Sequence, residues 1–291
     1  MKFVKTEDLR IGLRLAKPIY NKKGVLLYER DSKITAQGIE SVKNFGLIGI
    51  YILEPAEPLP PMSEDDIEFE KFQAVEFFEI MDELKSIAKT NKHIKIYNVA
   101  QTIIKAYGRL EHKINFVQNL RSADDFIFKH SLNVAILCAM ISHRLNMRPT
   151  EQEELVVSAI VHAVGIVSKD ERVKPTVMPE DEELAKRMEY SGIAKIDAVF
   201  ISTPAIKRAV LQAFRETNAF YNNEDLSQHR VVEAAKILIV ADEFDKFTAM
   251  NSIGETPRSE IAALKHFMDH PEFYDEKVVR ALVDSIVDIH G

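Results

Sequence analysis

The chain has 291 residues, 46% of them hydrophobic, enough for one fair-sized core and a smaller accessory unit. Its formal net charge of −7, with acidic and basic residues interspersed, argues against a broad DNA- or RNA-binding surface. The single cysteine, Cys138, excludes an internal disulfide or a multi-cysteine zinc site and suits a reducing, cytoplasmic setting. Residues 1–10 lack the apolar run of a signal peptide, and no uninterrupted apolar stretch nears the length of a spanning helix, so no membrane attachment is expected.

Residues 1–54 read as a small α+β unit. Leu13 to Tyr20 and Val25 to Tyr28 are strand-like runs around Asn21-Lys-Lys-Gly24, whose glycine can take the positive φ that closes a hairpin. A short helix is predicted from an N-cap at Thr35 to a stop at Gly46, followed by a strand from Ile48 to Leu53. Residues 55–62 carry Pro55, Pro58, Pro60 and Pro61, which suppress helix and sheet alike and mark a stiff linker.

Residues 63–291 read as helical throughout. Ser63 with Asp66 has the form of a capping box. Ala74, Phe77, Phe78, Met81, Leu84 and Ala88 recur at three- and four-residue spacing, and the same spacing runs from Ile96 to Val117, predicting two long amphipathic helices. Further helices are expected over Phe126 to Leu145, Thr150 to Ala163, Glu180 to Phe200, Pro204 to Asn218, Gln228 to Met250, and from Arg258 onward. Aromatic stripes of this kind are by default core. Cys138, on the inward stripe of its helix, reads as a small core residue, and Asp124 and Asp125 beside Arg121 as helix-terminal charges.

Three residues stand out against this apolar pattern. His130 and His162 each fall on the buried stripe of a helix, and Asp242 interrupts Ile237-Leu-Ile-Val-Ala241, where an unpaired carboxylate would be expensive. Two imidazoles and a carboxylate facing one interior can hold a single divalent metal such as iron or manganese. They can equally form a metal-free polar cluster in which Asp242 accepts from a histidine. Three positions spread over about 110 residues do not by themselves decide between these.

Leu120 to Ala135, with His130, resembles the opening helix of HD-GYP domains. Ala159-Ile-Val-His-Ala-Val-Gly165 resembles their His-Asp-Ile-Gly motif, and Ala235 to Asp245 resembles their late helix, whose aspartate matches Asp242. The resemblance covers roughly residues 112–291, and residues 1–54 resemble the small domain that often precedes such domains. It implies a mainly α protein: an all-helical HD-type domain behind a small α+β domain, bacterial signalling around cyclic di-GMP, and an ancestral multi-metal phosphodiesterase.

The chain departs from that pattern where the chemistry lies. Ala163 replaces the aspartate of the His-Asp pair, and Ile166 the phosphate-binding lysine. Met188, in Met188-Glu-Tyr-Ser-Gly192, stands for a histidine ligand, and Ala213 and Phe214 stand for a histidine pair. The Gly-Tyr-Pro loop survives only as an echo at Tyr221 within residues 217–223. Metal-assisted hydrolysis needs ions to acidify water and offset phosphoryl charge. The expectation is therefore a pseudoenzyme with no catalytic residue and no obligatory cofactor, holding at most one ion at His130, His162 and Asp242. Its expected partner is a protein or a second copy of itself, with cyclic di-GMP a candidate ligand. The alternative is a residual metal-dependent phosphohydrolase using the same three residues.

Overall fold

The computed structural model describes residues 2–20, 25–45, 47, 49–59, 63–116, 121–122, 125–167, 182–249 and 257–286. The chain is mainly helical, with ten α-helices among the described residues. It begins with short strands: β1 (Lys2–Lys5), β2 (Arg14–Leu15), β3 (Ile19–Tyr20) and β4 (Leu26–Tyr28), then helix α1 (Ala36–Asn44) and β5 (Gly49–Leu53). β5 is the central strand, pairing antiparallel with β1 (Val4 opposite Ile50) and with β2 (Leu15 opposite Ile52), while β3 and β4 form a separate ribbon.

The run Leu13 to Tyr20, predicted as one strand, is two strands in different sheets, because Pro18 has no N–H to continue a ladder. The predicted turn at 21–24 lies outside the described residues, as do Gly46 and Ile48. Thr35 caps α1 as expected, its hydroxyl accepting from the Gly38 amide. Leu15, Ile19, Ile34, Val42, Ile50 and Ile52 bury a small apolar cluster of their own.

Helix α2 (Glu64–Thr90) opens on the predicted Ser63/Asp66 capping box. Helix α3 (Ile96–Tyr107) is shorter than its apolar spacing suggests. It stops at Gly108, and Ile114, which continues that spacing, forms a bridge with Ile286 instead. Then follow α4 (Phe126–Arg144), α5 (Pro149–Val161), a 3-10 turn (Val164–Ile166), α6 (Glu182–Val199), α7 (Pro204–Tyr221) and α8 (Glu233–Thr248). Helix α8 starts five residues later than expected because the Gln212 side chain accepts from the Val232 amide at 2.8 Å, satisfying an extended approach. The last predicted helix is two, α9 (Glu260–Asp269) and α10 (Glu276–Val283), since Pro271 cannot propagate the first.

Helix α4 is the axis of the large core, packed by α2, α3, α5, α8 and α10. It is long and apolar enough to cross a bilayer, yet 83% of its most apolar window is buried inside the protein. Cys138 is fully buried there, as its stripe position predicts. A close crossing fixes the 3-10 turn against α6: a Cβ on Gly165 would lie 1.9 Å from the Met188 carbonyl oxygen, and one on Gly192 would lie 2.8 Å from the Gly165 nitrogen. Only glycine permits that approach.

The N-terminal cluster and the helical core meet along a polar seam. Leu47 forms an antiparallel bridge with Ser122. Lys17, 7% exposed, places Nζ 4.3 Å from the centre of the Tyr51 ring. Burial pushes the Lys17 ammonium down to about 7, against the pull of Glu70 on α2 and Glu260 on α9.

Candidate metal centre and the network behind it

Helices α4, α5 and α8 deliver one side chain each to a common point. His130 comes from the first turns of α4, His162 is the C-cap of α5, and Asp242 comes from α8. His130 Nε2 lies 3.1 Å from His162 Nε2 and 3.1 Å from Asp242 Oδ1, and His162 Nε2 lies 3.4 Å from the same oxygen. The three positions singled out from sequence therefore do come together.

Each imidazole is oriented from behind. His130 Nδ1–H donates to Asp245 Oδ2 at 2.7 Å, and His162 Nδ1–H donates to the Ala159 carbonyl at 2.7 Å. A carboxylate and a carbonyl can only accept, so in the neutral rings both Nε2 atoms carry lone pairs. Two lone-pair nitrogens and a carboxylate oxygen then face one another at about 3 Å, and Asp242 Oδ1 is buried without a hydrogen bond of acceptable geometry. Such a cluster of acceptors needs a cation or an added proton to be stable. Its atoms all lie within 4.8 Å of one another, as ligands about 2.0–2.2 Å from a shared ion must. The two imidazoles, the carboxylate and the partners behind the rings fit a single divalent cation. Such an ion would supply Lewis acidity at this point.

Behind the centre runs a buried polar network. Asp245 is fully buried and accepts from Arg121 Nη2 at 2.6 Å and from Asn133 Nδ2 at 2.9 Å, and Gln73 Nε2 on α2 donates to Asn133 Oδ1 at 2.9 Å. Burial alone would raise the Asp245 carboxyl, but the charges of Arg121 and His130 outweigh it and hold the group far below the usual carboxylate range. Asp242 is likewise held well down: burial opposes this, while Lys246, whose Nζ is 2.6 Å from Oδ2, and the two histidines win. His130 is held above its ordinary value, since its contacts with Asp242 and Asp245 together overcome desolvation.

The apolar run around Asp242 suggests a deep-core carboxylate, and the structure corrects this. The Asp242 side chain keeps 14% exposure on the open side of the centre, and the deep-core carboxylate is Asp245, at 0%. Asp245 lies three residues on, on the same face of α8, so the i, i+3 pair of aspartates in an apolar run is the signal that reveals it. Arg121, 4% exposed and stacked at 5.0 Å on Phe126, is the other functional residue that the sequence pattern hides, since beside acidic neighbours it reads as a surface charge. Asp125 does sit at the start of α4, accepting from the Ser122 amide and from Lys129, while Asp124 lies outside the described residues. Glu189 on α6, also unforeseen, belongs to the same electrostatic neighbourhood: burial pushes it up to about 7, Lys246 pulls it down, and the Asp242 charge adds to the rise.

The positions that differ from the HD-GYP pattern bring no ligand of their own. Ala163 is buried directly after His162, and Ile166 is buried in the core. Ala213 is buried in α7, and Phe214 meets Tyr190 edge-on with ring centres 5.2 Å apart. Met188 packs its backbone carbonyl closely against Gly165 and, as a side chain, brings only a thioether. Tyr221 donates instead to Glu243, a buried acid on α8. His143 pairs with Glu111 and His229 with Glu216, both away from the centre, and His266 lies beside Phe247. No protein-family model, no curated protein and no solved structure matches this chain.

Proposed function

We propose that this chain is a catalytically degenerate, HD-GYP-like bacterial signalling protein that works by binding, in the cytoplasm. Its helical part would be the HD-type domain and its N-terminal cluster the accessory domain, joined through the proline-rich residues 55–62. It would hold at most one divalent ion, iron or manganese by donor type, and act on a protein partner or a second copy, with cyclic di-GMP as a candidate small ligand.

One observation carries the reading. Three acceptor atoms converge, the two imidazoles with their tautomers fixed from behind, while Ala163, Met188, Ala213 and Phe214 supply no donor for a second or third ion. A multi-metal phosphodiesterase needs those ions both to generate the nucleophile and to neutralise phosphoryl charge. The second reading, a residual mononuclear phosphohydrolase, is favoured by the same triad with Glu189 nearby as a carboxyl of raised pKa.

Elemental analysis of the purified chain, paired with an assay for linear product from cyclic di-GMP with added manganese or ferrous iron, separates them. The binding reading expects one ion per chain or fewer and no product. Two or more ions, or turnover abolished by His130→Ala, would overturn it.

A further inference from the structure

A cleft of about 790 Å3 opens on the N-terminal unit, lined by β1, by the end of β5 with Glu54 and Pro55, and by residues of the 8–14 segment with Lys33. It lies apart from the seam, since Lys17 and Leu47 do not line it. One of its cations is already engaged: Arg14 Nε donates to Asp31 at 3.0 Å. Lys2, Lys5, Arg10 and Lys33 make no side-chain hydrogen bond or ion pair among the described residues. Asp8 and Glu54 also line the cleft, too few acids to balance these cations. Like charges gathered around one concave surface raise one another's energy until an anion enters.

Charge is divided unevenly along the chain. Residues 1–54 hold ten lysines and arginines against six acids, a net +4, which leaves −11 for the remainder of a chain whose total is −7. The first turns of α2 carry the matching pattern with opposite sign. Glu64, Ile67 and Glu68 stand at i, i+3 and i+4 and share one face of the helix. All three are exposed, and neither glutamate has a hydrogen bond or ion pair among the described residues. Lys71, one turn further on, ends the acidic stretch. Ile67 is 41% exposed, and at the cleft Ile11, between Arg10 and Gly12, is 70% exposed. Both surfaces thus set unpaired charge around a solvent-facing isoleucine, the arrangement of an interface with an apolar centre and a charged rim.

We infer that the cleft seats the start of α2 from a second copy of this chain. The two copies pair about a two-fold axis, each offering its basic cleft and receiving the other's acidic helix start. The inference rests on the binding role proposed above and names its partner. A chain's own helix start does not fill its own cleft, because Glu64 and Glu68 are exposed and the cleft's cations are unpaired. Pro55, which lines the cleft, and Ser63, which caps α2, are eight residues apart, so at most about 29 Å separates them. One axis can then serve both contacts. The exchange sets each basic N-terminal unit against the acidic remainder of its partner, whereas a long polyanion such as RNA would meet that remainder with nothing to offset it.

The test is sedimentation velocity of the full-length chain at low and high salt, with two charge-reversed variants. One carries Arg10→Glu with Lys33→Glu in the cleft, the other Glu64→Lys with Glu68→Lys on the helix. All four positions are exposed, the capping pair Ser63 and Asp66 is kept, and circular dichroism checks that each variant folds. The wild type is expected to dimerise at low salt and at least tenfold more weakly at high salt, where screening shortens the reach of the charges. Each variant alone should dimerise at least tenfold more weakly than the wild type. Their equimolar mixture should pair again, because the cleft made acidic then meets the helix start made basic while the two unaltered surfaces meet each other. A wild type that is monomeric at both salts overturns the inference. So does a dimer indifferent to both variants, which would place the axis on another face, and so does a mixture that stays apart. A monomeric wild type that binds poly-glutamate, and loses it with Arg10→Glu and Lys33→Glu, would make the cleft a dock for another acidic protein and also overturn the pairing. Metal content and product assays on the same samples report separately: a monomer with one ion and no product refutes the pairing and leaves the binding role standing.

Discussion

Asp245 Oδ2 accepts from His130 Nδ1 at 2.7 Å while Asp245 Oδ1 accepts from Arg121 at 2.6 Å. One buried carboxylate thus does two things: it neutralises a guanidinium and it fixes which nitrogen of His130 faces the centre. Asp245→Asn should leave Arg121 buried without its counter-charge, and breaking such a pair costs roughly 3–5 kcal/mol. Urea denaturation should show the midpoint lowered, with unchanged slope, by the amount that corresponds to a loss of that size. A loss below about 1 kcal/mol would mean that the pair is hydrated in solution.

Lys17 sets the pH dependence of the seam. Its folded pKa is pushed down to about 7 by burial, whereas an unfolded lysine titrates near 10.4. Between these values the unfolded state binds the extra proton, so stability rises with pH across that window. Stability should climb by roughly 2 kcal/mol from pH 7 to pH 9, and Lys17→Met should remove most of the slope. Melting curves at matched ionic strength test this; a slope unchanged in the variant would refute the assignment to Lys17.

Gly165 and Gly192 make a backbone-to-backbone crossing that no side chain fits. Gly165→Ala should force the 3-10 turn off α6 and destabilise by roughly 2–4 kcal/mol, in the range of overpacking and strain combined. Gly12, at φ +91, has no atom within 4 Å of the place a Cβ would take. Gly12→Ala should therefore cost only about 1 kcal/mol, from backbone conformation alone. Equal losses at the two positions, read from urea midpoints, would argue against the close crossing.

Ala163→Asp would place beside His162 the acid that the HD-GYP resemblance has at that position. With His130 and Asp242 it would complete four ligands, so metal content should rise toward one ion per chain. Hydrolysis of cyclic di-GMP should still be absent, because Met188, Ala213, Phe214 and Ile166 leave substrate neither positioned nor neutralised. Robust linear product from this single variant would show that those positions are dispensable.

The helices are legible in the sequence where periodicity and caps agree, as at Ser63 and Thr35. They are misjudged where a tertiary contact intervenes. Nothing local in residues 228–232 announces that Gln212 will satisfy the Val232 amide and delay α8. The apolar spacing through Ile114 looks helical, but Ile114 is apolar because it is buried where its backbone pairs with the segment at Ile286. The two histidines and Asp242 can be found because polar residues on apolar stripes demand partners. Arg121 escapes notice for the converse reason: its partner is 124 residues away, and a charge beside Asp124 and Asp125 looks locally satisfied.

The bridge between Leu47 and Ser122 lies one residue from Arg121, and the Tyr51 hydroxyl on β5, pushed up to about 12 by burial, feels that guanidinium. Residues of the N-terminal cluster therefore lie close to the guanidinium that holds Asp245. Coulomb attraction is several times weaker in a water-like medium than in a dry one, and mobile ions screen it further once water enters. With side chains 3% and 0% exposed, the Arg121–Asp245 pair, and through it the bearing of His130, is shielded from the salt content of the surrounding solution. A chain from which that cluster has lifted away would carry a centre tuned by ionic strength.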